Sequence, residues 1–513
     1  MKKFLLLFTL IMITLPATAK NISGDWHNDL RTLFLKNNAI IYTINIRTFN
    51  AKDLNGNELI DENEESGNFL NAIEELDNLS KMGINTLHVL PITKIGKLKS
   101  FGTAGSLYSI SSFNEINPQL VSKKSSQSGI MQAKRFIKEC HNRNIRVMID
   151  LPSCGSYDMF IEHPELFMKD KDGNPIIPLD WSDVRLFDTA DLTTINEDVM
   201  KAHKSFIDMA INIGADGIRA DVAGLKSPMF WKELIKYAKD KDSEFLFLAE
   251  SSKLWTDSVS SKAICTPSEE LLKAGFDGYL GSYFNLKNIT SAKDFMTMVQ
   301  DDLKMFRKFN NEKSVVGSFT THDEISPILI NGENFSKMII WLNSTLPLNS
   351  YYIDGFPTGD TYNYPWANKY APQSFTDDEY YFTHNGKIDI FNFSRKPGGN
   401  NYSIYEEFIL ANQFKKYYAQ NLSNASFTQL KTSNPKVFAY ARVMNNASVI
   451  VIGNLDFKNK QNVIVKVPKF NNKYKILNLR VQKNVDNEYS NGKIKTTLDC
   501  GDIQVLLIKN LVF

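Results

Sequence analysis

Between residues 40 and 355 the sequence alternates between two hydrophobic patterns. Short apolar, β-branched runs recur as IIYTINI (40–46), NTLHVLP (85–91), IRVMIDLP (145–152), GIRAD (217–221), FLFLAES (245–251), GYLGS (278–282), VVGSFTTHD (315–323) and SYYIDG (350–355). Between them lie amphipathic segments such as GNFLNAIEELDNLSKMG, GIMQAKRFIKECHNRN, EDVMKAHKSFIDMAINIG and SPMFWKELIKYAKD. In the first of these, Phe69, Ile73, Leu76 and Leu79 recur at helical spacing. Strand–helix–strand units are crossovers, and crossovers build a parallel sheet. Eight such units predict an α/β chain folded as a closed (β/α)8 TIM barrel. An open doubly wound sheet is the competing topology, but no GxGxxG follows the first strand, which argues against a dinucleotide-binding fold.

Two connections are long. Residues 153–195, after the third strand, are expected to form a small inserted subdomain. Residues 356–402, after the eighth, are rich in aromatic and turn residues (YNYPWANKYAPQ, SRKPGGNNYS). Long loops on a compact domain are usually functional or disordered, and on a barrel both would lie on the face where active sites sit. From about residue 425 strands follow one another without helices: KVFAYARVM, ASVIVIGNLD, QNVIVKVP, YKILNLRV and IQVLLIKNL. This predicts a C-terminal antiparallel β-sandwich over 425–513, behind a barrel over 20–424. A chain of 513 residues is long enough for both cores.

The first residues differ in kind. A basic MKK, an apolar FLLLFTLIMITLP and a small-residue ATA before Lys20 form a signal peptide, 1–19, cleaved after Ala19. The mature protein is then expected in the periplasm or secreted, with no membrane span. A formal net charge of +2 gives no pull toward nucleic acid. Four cysteines (Cys140, Cys154, Cys265 and Cys500) are too few for a disulfide scaffold, and their spacing fixes no pairing. A monomer is expected.

The acids at the strand ends carry the chemistry. Asp150 closes the third strand, Asp221 the fourth and Glu250 the fifth, and Asp323 follows His322 at the end of the seventh. Strand C-termini converge on one mouth of a barrel, so these four carboxyls are expected within a few ångströms of each other. Within GIRAD, Arg219 and Asp221 are two residues apart and therefore share a side of the strand. The expectation is that Arg219 keeps Asp221 ionised, while the apolar FLFLA before Glu250 raises the pKa of that acid. A carboxylate and a carboxylic acid pushed apart in this way suit glycosidic bond cleavage.

At these positions the chain resembles the α-amylase family of glycoside hydrolases, glycoside hydrolase family 13. GADGIRAD is similar to that family's strand-four motif, FLAES to its strand-five motif, FTTHD to its strand-seven motif, IRVMIDLP to its strand-three motif and SLYSISSFNEINP to the segment before it. The resemblance runs from about residue 38 to the C-terminus. It implies a retaining double displacement with Asp221 as nucleophile, Glu250 as acid/base and Asp323 gripping sugar hydroxyls. It also implies that Arg219 and His322 contact the nucleophile and substrate, that Tyr108 stacks under the reacting sugar, and that Asp150 lies at the substrate site as a structural partner of Arg219. There are departures. The family's Asn–His pair, four and five residues after the strand-three aspartate, is Cys154 and Gly155 here. Its Asn before the strand-seven histidine is Thr321, and the Lys–His pair after the nucleophile is Gly224 and Leu225. The catalytic acids remain while several sugar-gripping positions change, as expected of an active enzyme with unusual specificity.

A second site is suggested by DLNGNELIDENEE, residues 53–65. Side-chain oxygens at Asp53, Asn55, Asn57 and Asp61, with the Leu59 carbonyl between them, have the alternate spacing that wraps a loop around Ca2+. The stretch also resembles the first-loop calcium site of oligosaccharide-acting members of the family. The expected function is an exported α-glycosidase on α-glucans or maltooligosaccharides. A transglycosylase, or a non-catalytic amylase-like sugar-binding protein, are the alternatives.

Overall fold

The computed structural model describes residues 29–52, 54, 63–100, 105–178, 181–252, 266–359, 402–445, 447–468, 475–485 and 489–509. The leader, most of the 356–402 connection, Cys265 and the proposed calcium ligands Asp53, Asn55, Asn57, Leu59 and Asp61 lie outside them.

Eight parallel strands close into a barrel: β1 (Ile40–Ile44), β2 (Thr86–Val89), β3 (Arg146–Leu151), β4 (Gly217–Ala220), β5 (Leu246–Ala249), β6 (Gly278–Leu280), β7 (Ser314–Gly317) and β8 (Asn349–Ile353). Their order around the barrel is β1-β8-β7-β6-β5-β4-β3-β2. Each predicted run holds one strand. Apart from Arg146 every strand residue is buried, which is why the runs read as continuously apolar rather than alternating. Helices cover the outside: α1 (Gly129–His141), α2 (Glu197–Ile213), α3 (Pro228–Lys241), α4 (Ala292–Lys308), α5 (Pro327–Thr345) and α6 (Tyr402–Tyr417). The side chains of Ser128, Asn196, Ser227 and Ser291 accept the first free N–H groups of α1 to α4. Helix α2 ends on Gly214 at φ 92°, a left-handed turn that glycine adopts without strain, and the chain passes directly into β4.

Register sets the height of the acids. Asp150 pairs with Arg219 across β3 and β4, and Ala220 pairs with Ala249 across β4 and β5. Asp221 and Glu250 therefore leave neighbouring strands at the same level. Strand β7 ends at Gly317, so Asp323 sits on a loop six residues beyond the strand rather than at its tip.

The insertion after β3 is small. Cys154–Gly155 pairs antiparallel with Arg185–Leu186, and a short helix spans Tyr157–Glu162. Its apolar cluster joins Cys154, Val184 and Leu186 to Val222 and Leu225, with Trp181 packed against it. The subdomain thus rests on the segment that follows Asp221.

Past residue 425 the strands are antiparallel: β9 (Ser426–Gln429), β10 (Val437–Val443), β11 (Ala447–Asn454), β12 (Gln461–Lys466), β13 (Ile476–Asn478), β14 (Lys493–Leu498) and β15 (Ile503–Lys509). Together with the two-residue strands Lys431–Thr432, Lys483–Asn484 and Tyr489–Ser490 they form a six-stranded and a four-stranded sheet. Strand β10 is buried on both faces. Val437, Ala439 and Ala441 enter the core between the sheets, while Phe438 and Tyr440 enter the barrel's core. The two-residue period lets one strand serve two cores. Polar anchors reinforce the seam: the buried Arg442 of β10 donates from Nη1 to the Thr345 carbonyl of α5 at 2.8 Å, and Arg480 of the β-domain pairs with Glu407 of α6. Among the described residues no helix is long and apolar enough to cross a membrane. Cys140, Cys154 and Cys500 are free thiols.

Candidate active site

One guanidinium organises the mouth of the barrel. Arg219 is 1% exposed. Its Nη1 donates to both oxygens of Asp150 (2.9 and 3.0 Å) and to Asp221 Oδ1 (3.0 Å), and its Nη2 lies 2.6 Å from Glu250 Oε1. The sequence expectation gave Arg219 two partners, Asp221 and, by the resemblance, Asp150. It has three, because the strand registers bring β3, β4 and β5 acids around the same side chain.

Asp150 is fully buried and internally satisfied. Besides Arg219 it accepts from Tyr108 Oη at 2.9 Å and His88 Nε2 at 3.3 Å. Burial alone would raise its pKa, but Arg219 and then His88 outweigh burial and hold it at about 2. It is the permanent counter-ion of Arg219, walled off from any substrate. Tyr108 Oη also lies 2.8 Å from His322 Nε2. A phenol has one proton, and it is given to Asp150, so His322 Nε2 carries the N–H in this pair. Burial, then the charge of Arg219, keep His322 neutral. The Tyr108 ring stacks on the His322 ring, with centroids 5.8 Å apart.

Asp221 is gripped at both ends. Oδ1 takes Arg219, Oδ2 accepts the Ser153 N–H at 3.0 Å, and the Asp221 carbonyl accepts the Ser153 hydroxyl. The expectation that Arg219 leaves Asp221 readily ionised is corrected. Burial pushes this carboxyl well above its usual range, Arg219 opposes the rise, and Glu250 and Asp150 add to it. A guanidinium shared three ways cannot offset the burial of the third acid.

Glu250 does not have the apolar surroundings expected from FLFLA. Those side chains are buried among the strands, while the Glu250 carboxylate, 20% exposed, meets Arg219 on one oxygen and the Val222 N–H at 2.7 Å on the other. Val222 reaches it by adopting φ 41°, ψ 48°. Left-handed backbone is a genuine outlier for a β-branched residue, and such strain of order 1–3 kcal/mol persists only where packing fixes it. Here the subdomain's apolar cluster covers the Val222 side chain. The turn after one acid thereby supplies a donor to the next.

Asp323 faces the mouth with 44% of its side chain exposed, 3.8 Å from His322 Nε2. Partial burial, then Glu250, push it up to about 7 against the pull of Arg219. The cluster thus holds four carboxyls around one cation. Asp221 and Asp323 keep their protons at a pH where isolated carboxyls have lost theirs, while Asp150 stays ionised. The cluster can offer a proton from one carboxyl while another presents a lone pair. Sequence reasoning missed Ser153, Val222 and His88. Only His88 left a signal, as the one ionisable residue inside NTLHVLP.

Among the departures, Gly155 is explained by space. A Cβ there would lie 2.8 Å from the Phe167 ring and 2.9 Å from the Phe187 ring. Subdomain aromatics fill the volume that a longer side chain would occupy.

No family model matches the chain. Alpha-amylase 3 of Dictyoglomus thermophilum is 23% identical over 553 residues, covering 96% of this chain and 97% of that protein. Alpha-amylase MalA of Haloarcula japonica is 26% identical over 224 residues, 42% of this chain and 29% of MalA. A cyclomaltodextrinase of Bacillus sp is 26% identical over 223 residues, 39% of this chain and 36% of that enzyme. The chain therefore spans about a third of the length of the latter two. The crystal structure of an alpha-amylase from Lactobacillus plantarum superposes with a TM-score of 0.67 at 19% identity, covering 93% of this chain and 99% of that one. A maltogenic alpha-amylase, AmyB from Thermotoga neapolitana, gives 0.66 at 19% identity, covering 93% and 99%. The chain is α-amylase-like. The end-to-end match with the Dictyoglomus protein includes the closing β-domain, so the likeness of this α-amylase-like chain is one of whole architecture.

Proposed function

We propose that this chain is an exported, monomeric α-glycosidase that hydrolyses α-glucans or maltooligosaccharides with retention of configuration. The observation that carries the proposal is the gathering of Asp221 and Glu250 on the two amino groups of Arg219. That sharing caps the separation of their contacting oxygens at roughly 8 Å, which brings the two acids within reach of one glycosidic bond and admits the roughly 5–5.5 Å of a retaining pair, with the product anomer as the test of retention. The relatives' names, alpha-amylase and cyclomaltodextrinase, support the substrate class.

In this scheme the Glu250 carboxyl gives its proton to the glycosidic oxygen as the bond to the anomeric carbon breaks. An Asp221 oxygen attacks that carbon from the opposite face and forms a glycosyl ester. Water then adds to the anomeric carbon, Glu250 takes the water's proton, and Asp221 leaves as carboxylate. Asp323 holds sugar hydroxyls and stabilises the positive charge that develops on the ring, while Arg219 keeps the first two acids at one height. A calcium ion in the 53–61 loop belongs to the same proposal. Its support is the alternate spacing of the oxygens of Asp53, Asn55, Asn57 and Asp61, with the Leu59 carbonyl between them, in the sequence. The ion would brace the loop after β1 and takes no part in the chemistry.

The test is proton NMR of maltooligosaccharide digests, with Asp221→Asn as control. The first-formed product is expected as the α-anomer, with no turnover by the variant. A β-anomer, or undiminished turnover by the variant, overturns the scheme.

A further inference from the structure

Five residues past Asp221, and absent from the scheme above, is a lysine in a place where lysines are rare. Lys226 has no exposed surface. Its ammonium donates to the Ser153 carbonyl at 3.2 Å and lies 5.6 and 5.9 Å from the centroids of the Phe187 and Phe230 rings. Its backbone is pinned too. The Lys226 carbonyl accepts the Thr266 hydroxyl at 2.8 Å, and its N–H reaches the Ala223 carbonyl at 3.3 Å. A buried ammonium persists only where it answers a charge or an otherwise unsatisfied acceptor. The titratable groups around it are few. His203 of α2 and the Cys154 thiol are both neutral, since burial lowers the first and raises the second. Asp221 is the carboxyl whose charge it feels.

The link to Asp221 runs through one residue. Ser153 gives its N–H to Asp221 Oδ2 and its hydroxyl to the Asp221 carbonyl, while its own carbonyl is held by Lys226. We propose that Lys226 is a positioning residue for Asp221: its buried ammonium holds Ser153 by the carbonyl, and the N–H and hydroxyl of that same residue fix the direction of the Asp221 carboxylate. The ammonium adds a second positive field to that of Arg219, whose charge is already divided among three acids. Lys226 thereby works with Arg219 against the burial that favours the protonated form of Asp221.

The inference rests on Asp221 acting as nucleophile, so the test separates the two. The substrate is α-glucosyl fluoride, in which the Asp221 oxygen bonds to the anomeric carbon and fluoride departs with the bonding pair, without a proton from Glu250. For Lys226→Met, kcat is expected to fall roughly 10- to 100-fold with KM within about twofold, as for a misaimed reactant. The acid limb of kcat/KM is expected to move to higher pH, because loss of a nearby cation favours the protonated carboxyl. Lys226→Arg keeps the charge and is expected to restore the limb. Lys226→Gln keeps a donor for the Ser153 carbonyl without the charge; it is expected to shift the limb in the same direction as Lys226→Met with a smaller fall in kcat, and carries the test if the methionine variant does not fold. A lower melting temperature with kcat and the acid limb unmoved would overturn the proposal. In parallel, 13C NMR follows the Asp221 carboxyl, assigned with Asp221→Asn. A titration moved by Lys226→Met in a protein that turns over no glycoside supports the clamp and sinks only the glycosidase scheme. An unmoved titration sinks the clamp.

Discussion

Replacing Arg219 with methionine tests the centre of the site. The side chain is similar in length and apolar, so the change removes charge and donors with little change in packing. Three carboxyls, one fully buried and two with 11% and 20% of their side chains exposed, lose their shared partner. Breaking a buried ion pair from one side costs about 3–5 kcal/mol, because the remaining charge is left uncompensated. Asp150 gives an independent check on that size. Its fall from the usual 3.8 to about 2 corresponds to about 2 kcal/mol of stabilisation from one acid alone. The sign follows from its direction. A depressed acid contributes stability that is present above its unfolded pKa near 4 and is lost only as pH falls through about 2. In the variant that contribution is gone, and near pH 4 the protonated acids no longer demand a partner. Urea unfolding followed by tryptophan fluorescence should therefore show a loss of about 3–5 kcal/mol at pH 7, and a loss smaller by at least about 1 kcal/mol at pH 4.5. A loss below about 1 kcal/mol at pH 7, or one equal at both pH values, would refute the assignment of Arg219 as the shared counter-ion of three acids.

Other consequences are more local. Gly155→Ala should lower stability by about 1–3 kcal/mol, since the added carbon meets two aromatic rings below contact distance; a melting temperature equal to that of the parent would show that Phe167 and Phe187 yield freely. Asp323 is raised, so the folded chain binds its proton more tightly than the unfolded chain, and this contribution to stability declines between about pH 4 and about pH 7. Asp323→Asn should flatten that part of the melting-temperature profile, damped by the solvent that reaches the side chain, and an unchanged slope would assign the effect elsewhere. Calcium at 100 times its dissociation constant should stabilise the chain by about 2.7 kcal/mol, read as a melting temperature that falls on adding chelator; no shift would remove the ion from the 53–61 loop.

The barrel was legible because its signal is repeated. Each strand is buried on both faces and so leaves an unbroken apolar run, and each helix between strands leaves a face of period 3.6. The acids were legible for the same reason, since Asp150, Asp221 and Glu250 each close such a run. Asp323 was found by its motif but misplaced by six residues, because the apolar VVGSF continues past the last strand residue, Gly317. What stayed hidden is the second layer of the site. Ser153 acts through its backbone as much as its hydroxyl, Val222 through an N–H whose direction depends on a left-handed turn, and Lys226 through the carbonyl of another loop. None of these roles is a property of side-chain type, so composition and periodicity carry no trace of them.

The hidden layer also accounts for the direction in which the pKa expectations failed. Sequence reasoning gave the cation to Asp221, with Asp150 as a structural partner, and gave Glu250 an apolar run instead of a share of the guanidinium. The folded chain instead distributes a single guanidinium over Asp150, Asp221 and Glu250, and satisfies Asp150 so completely that little of the charge is left for the acid beside it. Proximity in sequence named the partner correctly and its share wrongly. Two residues apart on one strand, Arg219 and Asp221 had to meet, but the fraction of the positive charge reaching Asp221 is set by β3 and β5, whose alignment with β4 is fixed by the closure of the barrel as a whole. A motif therefore predicts which groups touch, while the protonation of those groups depends on neighbours contributed from elsewhere in the chain.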